Sequence, residues 1–457
     1  MTKTTRSKRA YVETYGCQMN ISDGELMEGV LTKDGFEIVK APEDADVVLV
    51  NTCAIREHAE KRVLGRVAQL NGLKRERPEL VIGVTGCMAQ RMGETLFEQA
   101  PYVDLVMGPD GYRSLPKALK NLDKSNKEGL SHGHGPQLAV LDLSLGENYQ
   151  GLEQRRIDGG PTAWVPIQRG CNHRCTFCIV PYVRGPEKNR DPLDILNEVH
   201  DLVSKGVTEV TLLGQTVNSY TSMDRSFPSL LSEIAQVDGI QRVRFTSPHP
   251  RDVTPELIEV MATEPAVCEQ LHLPAQSGNN RTLKRMLRRY SVEVLLEKIA
   301  MVRDGIPEVA LSTDIIVAFP GETDDEFRDT LELMKAVRFD EVFTYKYSPR
   351  AGTPATRLPA DQFIPAHDAQ ARLEELIEVT RGIQADINSR ELGRVDEVLI
   401  ERAGRYSGQV LGRTRRNKVV AFDGDLERVG CYTQVILETT TGATFAGTEI
   451  AQSTLLG

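Results

Sequence analysis

Strand-like runs followed by helix-like runs recur along most of this chain, and that order constrains its fold more than any other feature. Short segments rich in Val, Ile or Leu occur at residues 10–15, 46–51 and 80–85, followed by helix-compatible stretches such as 24–32 or 57–71. Strand-then-helix order gives a parallel sheet with helices on its faces, so residues 8–122 predict an N-terminal parallel α/β domain. The order returns between 161 and 389. Strand candidates there are 163–168, 209–213, 242–246, 270–273, 310–318 and 341–345, and helix candidates are 194–205, 228–237, 255–263, 292–304 and 324–337. Six such units suit an open (βα)6 barrel, a partial TIM barrel whose ligand site lies at the strand C-terminal ends. Residues 123–160 are punctuated by Ser131-His-Gly-His-Gly-Pro136 and Gly159-Gly-Pro161 and read as a linker with a strand at 138–143. The tail, 390–456, changes character. Its short runs at 397–402, 408–413, 419–422 and 433–437, broken by Gly, Asp and Asn, predict a small all-β, OB-like barrel.

Chemistry enters with the cysteines. Cys171, Cys175 and Cys178 stand in the spacing C-x3-C-x2-C, close enough to hold one inorganic cluster. A [4Fe–4S] cube takes a thiolate on each of its four irons when fully ligated by protein. Three local thiolates therefore leave one iron open. From the residues alone a zinc site completed by His173, or three unrelated core thiols, are the alternatives. Cys17, Cys53 and Cys87 are far apart in sequence, yet each follows a strand-like run and precedes a helix-like one. In a parallel sheet such strand ends converge on the ligand-binding edge, and nearby helix N-termini favour thiolate over thiol. Three thiolates there would hold a second cluster; the plainer alternative is that they are simply buried. Cys268 and Cys431 share neither context and read as core or incidental residues.

Composition narrows the rest. The chain has 457 residues, and its eight cysteines are too sparse for a disulfide scaffold, which suits a reducing compartment. No run approaches the roughly 18 apolar residues of a membrane span. The basic N-terminus lacks the apolar stretch of a secretory signal, so a cytoplasmic location with no membrane partner is expected. A net charge of −10 argues against indiscriminate nucleic-acid binding. Patches matter more than totals. Arg402, Arg405, Arg413, Arg415, Arg416 and Lys418 follow one another with no acidic residue between them, as do Arg281, Lys284, Arg285, Arg288 and Arg289.

Motifs around the cysteines carry a resemblance. Thr14-Tyr-Gly-Cys-Gln-Met-Asn20, Asn51-Thr-Cys-Ala-Ile-Arg56, Val84-Thr-Gly-Cys-Met-Ala-Gln90, Gly170-Cys-Asn-His-Arg-Cys-Thr-Phe-Cys178 and His272-Leu-Pro-Ala-Gln-Ser-Gly278 resemble the radical S-adenosylmethionine (SAM) methylthiotransferases. The likeness covers nearly the whole chain apart from the extreme N-terminus and the linker. Asn51-Thr-Cys-Ala-Ile-Arg-Glu-His-Ala-Glu-Lys61, Leu213-Gly-Gln-Thr-Val-Asn-Ser-Tyr220 and Gly412-Arg-Thr-Arg-Arg-Asn-Lys-Val-Val420 resemble the branch that modifies tRNA. The tail resembles that family's RNA-binding TRAM domain.

The resemblance implies two [4Fe–4S] clusters and SAM as cofactors, with the central domain as the radical SAM core. The cluster on Cys171, Cys175 and Cys178 would cleave SAM to a 5′-deoxyadenosyl radical, which takes hydrogen from C2 of N6-isopentenyladenosine at tRNA position 37. The cluster on Cys17, Cys53 and Cys87 would carry sulfur that a second SAM methylates. An unactivated C2–H gives polar chemistry little purchase, and a radical cofactor supplies the reactivity. Partners implied are the tRNA anticodon stem-loop, a reducing electron donor and a sulfur donor.

No catalytic side chain beyond the cluster ligands is expected. By position at strand ends, Gln215, Gln276 and Ser277 are candidates to hydrogen-bond SAM, and Arg288 to pair with its carboxylate. Tyr345, Tyr347 and Arg350 are candidates for the extruded base, and Arg413, Arg415, Arg416 and Lys418 for phosphate. Ala318 stands where the family usually has Gly, and His173 is given no role. Within the family, threonylcarbamoyladenosine-37 of tRNA or an aspartate of a ribosomal protein remain alternative substrates. A non-catalytic metal-binding RNA adaptor is the alternative from another class.

Overall fold

The computed structural model describes residues 7–53, 57–127, 136–156 and 159–450. Residues 128–135 and 157–158 of the expected linker, Ala54-Ile-Arg56 of one cysteine motif and the end of the expected tail domain, 451–456, lie outside the described residues. The chain forms two compact units. One is built on the N-terminal sheet and also contains Gln168–His173 and Cys178–Arg190; the other comprises Gly159–Ile167, Arg174–Phe177 and the chain from Asp191 onward.

The first unit is a six-stranded, all-parallel sheet in the order Glu37–Ile38, Arg9–Tyr15, Val47–Thr52, Val81–Gly86, Leu105–Met107, Leu138–Val140. Every residue of Val47–Thr52 and Val81–Gly86 is buried, as expected for strands covered on both faces. Alternation decides which face each side chain serves. Val47 and Leu49 pack with Leu26, Met27 and Leu119, whereas Val48 and Val50 pack with Val63 and Val67. The helices Gln18–Lys33, Glu57–Glu76 and Leu115–Lys127 supply those partners. Each such fully buried side chain stabilises the fold by about 1.5–3 kcal/mol.

The segment read as a linker is partly structural. The helix Leu115–Lys127 runs into it, and Leu138–Val140 adds the sixth strand, with Leu138 and Val140 packed against the sheet core. The strand expected at 138–143 is thus present, shortened to Leu138–Val140.

In the second unit, Thr162–Pro166, Glu209–Leu213 and Arg242–Phe245 form one parallel sheet, and Gln270–His272, Ala310–Val317 and Glu341–Lys346 form another. A bridge between Val243 and Val267 joins them. This is the open six-stranded barrel that the sequence predicts. Its helices Pro192–Ser204, Phe227–Ala235, Pro255–Thr263, Val292–Gly305 and Asp324–Val337 pack around one apolar core. A further 24-residue helix, Ala366–Ser389, buries Leu376 in that core.

The tail closes into a five-stranded barrel, Val395–Ala403, Gln409–Thr414, Val419–Asp423, Thr444–Glu449 and Tyr432–Thr440 in hydrogen-bonded order. Four of these strands match the predicted runs, and Thr444–Glu449 is the addition. Inward residues Val398, Ile400, Val410, Val420, Phe422, Val435, Leu437 and Phe445 fill its centre.

This small barrel is fastened to the strand starts of the partial barrel. Arg242, fully buried, donates to the carbonyls of Arg413 (2.8 Å) and Glu397 (2.9 Å) and to the Glu397 carboxylate. Arg244 donates to the carbonyls of Thr414 and Arg415, each at 2.8 Å, and pairs with Glu209 at 3.0 Å. The strands of the partial barrel finish at its opposite end.

One backbone feature there has a measurable consequence. Ala318, next after the strand Ala310–Val317, is held at φ 57°, and its N–H donates to Glu322 at 2.7 Å. A left-handed conformation costs a residue with a Cβ about 1–2 kcal/mol, part of which glycine's larger unfolded-state entropy offsets. Strain in the backbone, more than crowding by the methyl, is the mark of this departure. Ala318→Gly is expected to stabilise the protein by about 0.5–1 kcal/mol in urea denaturation; a loss of stability would contradict the strain.

Candidate active site

Parallel registry brings three thiols of the first unit together. Tyr15 lies opposite Thr52 and Thr52 opposite Gly86, so the three strands stop at one level. Cys53 follows Thr52 directly, Cys17 caps the helix Gln18–Lys33, and Cys87 opens the helix Cys87–Met92. Glycine makes the close approach feasible. A Cβ on Gly16 (φ 146°) would stand 2.7 Å from the Cys53 Cβ, and one on Gly86 (φ 90°) only 2.6 Å from the Thr52 carbonyl oxygen. Two asparagines brace the strand ends. Asn20 Nδ2 donates to the Thr52 carbonyl at 3.1 Å, Asn51 Nδ2 donates to the Asn20 carbonyl at 2.7 Å, and the Cys17 thiol donates to Asn20 Oδ1 at 3.2 Å.

A buried cation completes this group. Arg184, just past the helix Val180–Val183, donates from Nε to Cys87 Sγ at 3.2 Å and from Nη2 to Asp23 at 2.6 Å. Both Arg184 and Asp23 are nearly inaccessible to solvent. Hydrogen bonding with Cys53, followed by the field of Arg184, lowers the Cys17 thiol to about 6 against the effect of burial. Burial pushes Cys87 up, with Arg184 acting in the opposite direction. Three thiols beside a fixed guanidinium are a donor set of the kind that iron–sulfur centres use.

The C-x3-C-x2-C segment has its own supports. Gln168–Arg169 pairs antiparallel with Lys188–Asn189, and the Cys171 N–H donates to the Gly185 carbonyl at 3.2 Å. Gly170 is held at φ 74°, and a Cβ there would meet the Pro186 carbonyl oxygen at 2.0 Å, so only glycine fits before Cys171. Arg169 is buried, stacked 3.4 Å from the centre of the Tyr149 ring and 3.5 Å from Asp110. In the second unit, Thr176 is tied by its N–H to the Met286 carbonyl (3.0 Å) and by its hydroxyl to the Arg285 carbonyl (2.9 Å).

Candidate SAM residues divide into two groups. Gln215 and Gln276 stand just past strand ends, and the Oε1 atom of each is buried with no hydrogen-bond partner among the described residues. Orphaned buried acceptors call for a ligand or water. Gln276 also holds a left-handed backbone, φ 70°, a strain typical of binding sites. Ser277, by contrast, is fully buried and occupied, accepting from the Asn279 N–H and lying 3.4 Å from the Thr330 hydroxyl. Arg288 is engaged as well. It donates to Cys175 Sγ at 3.4 Å, to the Pro274 carbonyl and to the Tyr290 hydroxyl. Its position suits support of the Cys175 thiolate better than reach toward a carboxylate.

Of the residues expected to meet substrate, Tyr345 and Arg350 are half-buried near the end of the sixth strand. Tyr347 lies edge-on to Phe319, and its buried hydroxyl has no partner among the described residues. The basic turn of the tail is occupied. Arg415 pairs with Glu269 (2.9 Å), Arg416 with Glu391 (2.8 Å) and Asp396 (3.2 Å), Lys418 with Asp340 (2.8 Å), and Arg413 with Glu401 (3.3 Å). Their charges are met within the chain, and three of these pairs help to hold the small barrel in place. Arg402, Arg405 and Tyr406 remain exposed, with the Arg405 guanidinium 5.8 Å from the Tyr406 ring.

Residue types alone gave no sign of Arg184 with Asp23, which are 161 positions apart. They also hid the His272–Asp314 pair (3.2 Å) on neighbouring barrel strands. The signal that exists for Arg184 is proximity, since it follows Cys178 within the same short segment.

Comparisons with known proteins give the class. Residues 165–334 match the radical SAM superfamily, 389–446 the TRAM domain, and 9–108 a family described as uncharacterized protein family UPF0004. The chain is thus a radical SAM enzyme, which implies SAM and a [4Fe–4S] cluster as cofactors. It is similar to the tRNA-2-methylthio-N(6)-dimethylallyladenosine synthase of Carboxydothermus hydrogenoformans, 43% identical over 93% of this chain and 95% of that one. The enzyme of the same name from Thermoanaerobacter sp. (strain X514) is 44% identical over 96% of this chain and 92% of its own. The chain belongs to the family of tRNA-2-methylthio-N(6)-dimethylallyladenosine synthases.

Among solved structures, the radical S-adenosylmethionine methyltransferase TsrM from Kitasatospora setae shares the fold. It aligns with a TM-score of 0.58 and 13% identity over 81% of this chain and 89% of that one. Among the described residues no helix is long and apolar enough to cross a membrane.

The thiol geometry predicts a pH dependence. In metal-free protein, alkylation of Cys17 followed by mass spectrometry should rise with a midpoint at about 6, because the thiolate forms above that value. Cys53→Ala should move the midpoint upward. A midpoint near the ordinary thiol value of about 8.5 in the unsubstituted protein would contradict the hydrogen bond between the two thiols.

Proposed function

We propose that this enzyme transfers a methylthio group to C2 of N6-isopentenyladenosine at position 37 of tRNA. What carries the reading is a second set of three thiols, Cys17, Cys53 and Cys87, at adjacent strand ends in a chain that already has the motif Cys171, Cys175 and Cys178. A radical SAM reaction by itself needs the motif Cys171, Cys175 and Cys178 alone; a reaction that also installs sulfur has use for another open-iron centre. Bound at the two sets, the clusters and SAM supply the 5′-deoxyadenosyl radical that takes the C2 hydrogen and the sulfur that a second SAM methylates. The names of the relatives support the nucleoside.

The chain's own residues position and shield. Gln215 and Gln276 direct their unpartnered acceptors at SAM, while Ser277 and Arg288 hold the turn and the Cys175 thiolate in place. Tyr345, Tyr347 and Arg350 meet the base near the end of the sixth barrel strand. For phosphate, the exposed Arg402 and Arg405 beside Tyr406 are better placed than Arg413, Arg415, Arg416 and Lys418, whose charges are already met. Basic side chains next to an exposed aromatic ring suit a single-stranded or looped nucleic acid. Partners of two further classes, an electron donor and a sulfur donor, follow from the stoichiometry of the reaction.

Nucleoside mass spectrometry of tRNA from a deletion strain tests the substrate. The expected result is loss of 2-methylthio-N6-isopentenyladenosine with accumulation of the unmethylthiolated nucleoside, restored by the intact gene. Unchanged 2-methylthio-N6-isopentenyladenosine would reject the proposal.

A further inference from the structure

We infer that Arg184, locked by Asp23, is a positioning residue for the cluster held by Cys17, Cys53 and Cys87, fixing the Cys87 thiolate and drawing negative charge toward it. The inference rests on the reading that these thiols hold a cluster, but not on which nucleoside is modified. The guanidinium uses two nitrogens at once. Nε points at Cys87 Sγ (3.2 Å) while Nη2 is held by Asp23 (2.6 Å). Arg184 has only 3% of its side chain exposed and Asp23 only 1%, so water cannot substitute for either partner. Asp23 is presented by the helix that Cys17 caps, and Arg184 follows Cys178 in sequence. One ion pair therefore ties the helix behind the first thiol to the third thiol. The remaining nitrogen, Nη1, is buried with no hydrogen-bond partner among the described residues.

Chemistry gives this arrangement a consequence. A thiolate-ligated cluster is an anion, and its charge grows on reduction or when a sulfur anion occupies the open iron. Hydrogen bonds to ligand sulfur favour the more negative state and raise the reduction potential, and outer partners hold ligands in orientation. Lysine at 184 would keep the charge. As a compact ammonium it could not span Asp23 and Cys87 as the planar fork does.

The test compares two variants, Arg184→Lys, and Arg184→Gln combined with Asp23→Asn so that no carboxylate is left buried alone. Each is made in a chain whose Cys171, Cys175 and Cys178 are Ala, so that only the second cluster is seen. The readouts are the midpoint potential by EPR-monitored titration and the rate of iron release to a chelator. A more negative potential in both variants, with the lysine variant intermediate, is expected. Iron release about 10–100-fold faster is also expected, the usual scale for losing an outer-sphere partner. Loss of the second cluster from both variants, with SAM cleavage intact when the other cysteines are restored, also supports the inference. Unchanged potential and iron release overturn it, as does loss of folding in both variants, which would make Arg184 a core residue only. Absence of any cluster from the parent triple-alanine chain would instead reject the reading of the thiols, separating the two failures.

Discussion

A buried negative site at the end of a parallel sheet depends on a positive partner that is buried with it, and here that partner is Arg184. Removing one member of such a pair typically costs about 3–5 kcal/mol, because the other is left charged and dry. Asp23 accepts from Nη2 of the guanidinium and the Cys87 sulfur from Nε. The sheet sets the stage by stopping three strands at one level, and Gly16 and Gly86 let the cysteine-bearing turns close on one another. Strand registry, glycine, asparagine braces and the buried ion pair all act on the same few ångströms.

The second unit separates its two ends by chemistry. At the strand starts, Glu209, Arg242, Arg244, Glu269 and Asp340 meet the small barrel in a network of ion pairs and hydrogen bonds to its backbone. At the strand finishes, Gln215 Oε1, Gln276 Oε1 and the Tyr347 hydroxyl are buried without partners among the described residues, as Glu209 Oε2 and Arg242 Nε are at the strand starts. Arg415, Arg416 and Lys418 serve assembly, and the nearby Arg402 and Arg405 stay free of ion pairs among the described residues.

Much of the architecture was legible from the residues. The strands before Cys53 and Cys87 are buried along their whole length, so they stand out as near-continuous apolar runs, whereas Arg9–Tyr15, with only Ala10 buried, and the barrel strand Glu341–Lys346 are more polar and were marked by their place before a helix-like run or after one. The cysteine spacing marked one thiol set, and the repeated place between a strand-like and a helix-like run marked the other. What stayed hidden depends on pairs far apart in the chain. Arg184 and Asp23, Arg288 and Cys175, and Arg415 and Glu269 each join segments that the sequence does not relate. The strand expected at 138–143 is present over Leu138–Val140, but its pairing with Leu105–Met107 as the sixth strand of the sheet was not legible. Ser277 and Arg288 illustrate a further limit. A polar residue at the right strand end can be fully engaged in supporting the turn that carries the functional one.

We propose that one chain carries two independent iron–sulfur centres, one on each set of three thiols. Anaerobic reconstitution followed by iron analysis and Mössbauer spectroscopy tests it most directly. With one [4Fe–4S] unit per set, about eight irons per chain are predicted, falling to about four when either set is replaced by alanine. About four irons in the unsubstituted protein, unaffected by replacing Cys17, Cys53 and Cys87, would contradict the claim.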